Sequence, residues 1–157
     1  MAAATPTGLK PGIAMSLSDA QVERYSRQII LPEIGVAGQQ RLLSAHVAID
    51  DGGGPLAAVL APYLAGAGVG RLTLHGAGTA AVVDAVAGLA PDTHVTTLAV
   101  GVADAEIVVA ADLALDDLDR VATLGVPVIA GGLTPGGGWL VVAAARPPCV
   151  ACVARLA

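Results

Sequence analysis

The fold is decided by the run Ala45-His46-Val47-Ala48-Ile49-Asp50-Asp51-Gly52-Gly53-Gly54-Pro55-Leu56-Ala57. Its first six residues read as a strand, its glycines as a turn, and the alanine-rich residues from 55 to 67 as a helix. Gly52, Gly54 and Ala57 satisfy G-x-G-x-x-G/A in the strand–turn–helix context the pattern requires. Such a turn lets backbone N–H groups and a helix N-terminus approach a phosphate. Asp50 and Asp51 place two negative charges beside that pocket, which repel a polyphosphate unless magnesium bridges them. Pro55 removes one donor, yet stands in the first helical turn, where proline is favoured in a plain structural turn. Phosphate binding and turn chemistry are both open at this point.

Working outward, short valine- and isoleucine-rich runs alternate with alanine-rich ones, the pattern of buried parallel strands linked by helices. Strands are expected at 45–50, 70–75, 94–100, 106–111, 126–130 and 138–144, and helices at 55–67, 78–90 and 115–124. This predicts an α/β fold: a Rossmann-like doubly wound, mostly parallel sheet. Residues 131–137 are too short for a crossover, so the last two strands form an antiparallel hairpin at one edge. Pro62 falls inside the second of the βαβ elements and is expected to kink that helix. About 20 residues beyond the glycine turn, where a nucleotide site carries an acidic residue for the ribose, this chain has His75. His75 can hydrogen-bond a hydroxyl, and an ordinary loop histidine fits equally. His46 and His94 are isolated and read as structural or exposed rather than catalytic.

Before the sheet, residues 1–16 read as a flexible arm and 17–157 as one domain, with helices in 17–44 and the core in 45–157. Ser18 is an N-cap with Gln21 at the capping-box position, and the helix presents Val22, Tyr25, Ile29 and Ile30 before Pro32. A second short helix is expected at 36–44.

The 157 residues suit one domain. The chain is 55% apolar with 20 glycines and no phenylalanine, and 33 of its residues are alanine, so the core should be thin. A net charge of −5 argues against nucleic acid or an anionic membrane as partner. Apolar runs are interrupted before the roughly 20 residues a membrane-spanning helix needs. No secretion signal is read at the N-terminus, and two nearby cysteines do not make a disulfide framework, so a cytoplasmic setting is expected.

The block Glu23-Arg24-Tyr25-Ser26-Arg27-Gln28-Ile29-Ile30-Leu31-Pro32-Glu33-Ile34-Gly35, followed by Gly38-Gln39-Gln40-Arg41-Leu42, resembles the opening of the ThiF/MoeB/HesA family. Tyr63 to Leu74, Gly125 to Gly131 and Pro148 to Cys152 continue the resemblance in order. The resemblance implies an ATP- and magnesium-dependent adenylyltransferase acting on the C-terminal glycine of a ubiquitin-like sulfur-carrier protein. It places Gly52, Gly53 and Gly54 on the phosphate-binding turn. It matches Arg27 to the arginine that crosses a homodimer into the partner's ATP site, which makes 17–44 a dimerisation segment; a surface ion pair is the plainer reading of Arg27. Asp112 fits the magnesium carboxylate with a one-residue slip. Cys149 and Cys152 match half of a family zinc site, which two chains would have to share; a pair of free or redox-active thiols is the plainer reading.

Several family positions are absent: the acidic pair after Leu74, the Asn-Leu-x-Arg-Gln block, the downstream lysine and the second C-x-x-C. These absences favour a degenerate, catalytically impaired member that binds itself, an intact relative in a heterodimer, or a carrier protein. A compact active adenylyltransferase is the alternative, and a dinucleotide-binding Rossmann protein ranks last.

Overall fold

The computed structural model describes residues 16–50, 56–76, 79–98, 104–111 and 124–143. Three short helices come first: α1 (Asp19–Arg24), α2 (Ser26–Ile29) and α3 (Gly35–Ser44). Then follow β1 (His46–Asp50), α4 (Leu56–Gly66), β2 (Arg71–His75), α5 (Thr79–Leu89), β3 (His94–Leu98), β4 (Ile107–Ala110), β5 (Val128–Thr134) and β6 (Gly137–Ala143). The strands form a single sheet in the order β3-β2-β1-β4-β5-β6. All neighbours run parallel except β5 and β6. The expected doubly wound sheet with an antiparallel edge hairpin is therefore present. Its winding reverses between β1 and β4, the switch point at which open α/β sheets bind ligands.

β1 is buried along its whole length because it is covered on both faces. On one face Val47, Ile49, Leu72 and Leu74 meet Ala57, Ala61 and Ala65 of α4. Those alanines recur every four residues and so share one side of the helix. With methyl groups at the contact, the helix lies close to the sheet and the large buried side chains are few, as the composition predicts. α4 continues across Pro62. On the other face Ala48, Val108, Ala110, Val128 and Ala130 form a second cluster against which Trp139 packs.

Three details differ from expectation. The helix from Ser18 keeps its capping box but breaks at Tyr25, giving α1 and α2. Tyr25 is fully buried, whereas Val22 and Ile30 of the expected face are exposed. The buried ring is tied to Asp92 in the loop before β3 rather than to its own helix, so tertiary contacts override the helical period. The hairpin strands extend through the expected link to the pair Thr134–Gly137, leaving only Pro135 and Gly136 as the turn. The expected helix at 115–124 lies outside the described residues except Leu124, and so does the N-terminal arm but for Ser16.

Candidate functional site

Two polar arrangements occupy opposite edges of the sheet. At the carboxyl edge, β1 ends on Asp50 and β2 on His75, which stand side by side because the two strands pair in register. Asp50 is buried, and its Oδ1 accepts a hydrogen bond from His75 Nδ1 at 3.0 Å. A carboxylate can only accept, so the imidazole carries its hydrogen on Nδ1, and in the neutral ring Nε2 is the lone-pair nitrogen. The Asp50 carbonyl accepts from the Ala111 N–H at 2.8 Å, fastening β1 to the end of β4 across the switch point. Residues 51–55, which follow Asp50 in the sequence, lie outside the described residues.

One face of the sheet carries a polar row behind that pair. His46, buried at the start of β1, bonds through Nε2 to Thr73 Oγ1 at 2.8 Å and through Nδ1 to the Asp104 carbonyl at 3.2 Å. Thr73 Oγ1 lies 3.1 Å from Thr96 Oγ1. Both ring nitrogens of His46 are thereby used in holding strands together, which fits the structural role expected of it. His94 is exposed at the start of β3.

At the amino edge, the helices α1 to α3 are fastened to the loops that enter β2 and β3. Gln39 Nε2 donates to the Ala67 carbonyl at 3.1 Å, and the Gly70 N–H donates to the Leu42 carbonyl at 3.0 Å. Asp92, just before β3, accepts from Gln21 Nε2 at 3.1 Å and from the Tyr25 hydroxyl at 3.0 Å, and it pairs with Arg24. Burial works to raise the Asp92 pKa, but the bonds from Gln21 and Tyr25 and the charge of Arg24 outweigh it and hold it below the usual carboxylate value. Burial, followed by the bond to Asp92, pushes the Tyr25 phenol above its ordinary value. Gly68 (φ +90°) and Gly70 permit this approach. A Cβ on Gly68 would strike Gln39 and the Tyr25 ring, and one on Gly70 would strike the Leu43 carbonyl oxygen.

Arg27 is exposed on α2, at this amino edge, and makes no ion pair among the described residues. A five-residue strand is about 13 Å long, so Arg27 and His75 are not brought together within one chain. Gly52, Gly53, Gly54, Asp112, Cys149 and Cys152 lie outside the described residues. Among the described residues, no group of three or more His, Cys, Asp or Glu is placed to hold a metal ion, and no helix is long and apolar enough to cross a membrane.

Sequence reasoning singled out His75 but not its partner, reading Asp50 only as a charge opposing phosphate. The signal was available: both residues close strands of equal length that begin and end in register. The Tyr25–Asp92 bond had no local signal, because 67 residues separate its partners.

The strand order, the switch point and the polar carboxyl edge define a Rossmann-like α/β domain. The solved structures that resemble it are of the same kind. Selenomethionine PaaA superposes with a TM-score of 0.62 at 22% identity, covering 82% of this chain and 52% of that one. E. coli MccB, crystallised with AMPCPP and selenomethionine MccA, superposes with a TM-score of 0.60 at 19% identity, covering 77% and 48%. No family model matches the chain. Among curated proteins, the adenylyltransferase and sulfurtransferase MOCS3 of Sus scrofa is 58% identical over 59 residues, 38% of this chain and 13% of that protein. The heterocyst protein HesA of Trichormus variabilis is 52% identical over 60 residues, 38% of this chain and 22% of that protein. The chain is related to the ThiF/MoeB/HesA family, whose members include adenylyltransferases. It spans only a small part of the length of these relatives.

Proposed function

We propose that this chain is a cytoplasmic, catalytically impaired relative of the family's adenylyltransferases, acting through pairing with a second copy or with an intact relative. The observation that carries the reading is the position of α1 to α3. They are fastened to the amino edge, so Arg27 is exposed at the edge opposite the chain's own Asp50–His75 pair, which supports its use by another subunit. Val22, Ile30, Leu31 and Val36 are exposed around it and supply an apolar rim for such pairing. The family's acidic pair, arginine and lysine have no counterpart in the sequence, which removes the cations that would grip triphosphate.

The test is ATP–pyrophosphate exchange with a ubiquitin-like carrier, run on the chain alone and mixed with an intact family member. The expected result is no exchange alone, and exchange by the mixture that falls about tenfold with Arg27→Ala. Exchange by the chain alone, or indifference of the mixture to that substitution, overturns the reading. A second reading is favoured by one observation, the Asp50–His75 pair at the switch point. There the chain holds a nucleoside with magnesium, His75 bonding a ribose hydroxyl and Gly52–Gly54 facing the phosphates, and works as a compact adenylyltransferase. MccB, crystallised with AMPCPP and MccA, supports it by analogy of fold.

A further inference from the structure

We draw no further inference here: the strongest candidate, the outer face of α4 where Val59 and Tyr63 stand exposed four residues apart, is an apolar helix surface and nothing in the structure shows what covers it.

Discussion

At the amino edge a tyrosine, two glutamines, an arginine, an aspartate and two glycines fasten three short helices to the sheet, whereas at the carboxyl edge a carboxylate–imidazole pair joins the ends of two strands. Both edges bury polar groups, but to different ends. Amino-edge donors and acceptors are spent on one another: Asp92 takes three partners, and Gly70 meets a backbone carbonyl. That is the chemistry of a scaffold, where an unmade bond costs the desolvation of its donor or acceptor. Asp50 and His75 instead sit beside the switch point, where a sheet of this winding meets ligands. The two regions should therefore fail differently when altered: the first in stability, the second in binding.

The largest expected effect is at Gly70. Gly70→Ala drives a methyl group into the Leu43 carbonyl oxygen, and backbone must move. The cost is about 3 kcal/mol, which lowers the melting midpoint by roughly 6–12 °C for a domain of this size. Calorimetry or a urea titration measures it. A change under about 1 kcal/mol would break the comparison at its root, because the amino edge would then be loosely packed.

Next in size is the Asp92 hub. Asp92→Asn should cost about 1–2 kcal/mol near neutrality, and it should also change the pH profile. The folded-state pKa of Asp92 is depressed below 3.8, so its stabilisation is present above that pH and is lost as pH falls through the folded value. The variant should lose this acid-side decline. Tyr25 gives the mirror case. Its pKa is raised above 10.0, so the stabilisation of the neutral phenol is present below that pH and lost as pH rises through the folded value. Tyr25→Phe should flatten the alkaline limb. Unfolding curves at several pH values test both, and variants that keep wild-type slopes would show that the hub does not tie the helices down.

The sheet was readable from sequence because its signals are local. Val47, Ile49, Leu72 and Leu74 announce buried strands, and the short link at 131–137 announces a hairpin. The break at Tyr25 was not readable, since its cause is Asp92 in a distant loop. Nor was the face of the N-terminal helix, because Ile30 follows a helical period that the break interrupts. At the candidate site, His75 was legible from its spacing after the glycine turn. Its dependence on Asp50 required the register of two strands, which no single run of residues contains.

The smallest effect on stability is expected at the carboxyl edge, and it sharpens the comparison most. His75→Ala removes one partner of a bond at a partly open edge, so it should cost about 1 kcal/mol or less. If this edge holds a nucleoside sugar, the same change should weaken adenosine nucleotide binding about fivefold, close to 1 kcal/mol of affinity. His94→Ala, also a histidine on a neighbouring strand but exposed at the amino edge, should change neither quantity. Titration of the three proteins with Mg-ATP separates the cases. Equal affinity in wild type and His75→Ala would move any nucleotide away from this pair. The Asp50–His75 bond would then belong with His46 and Thr73 as part of what holds the strands in register, and the two edges would differ in strength rather than in purpose.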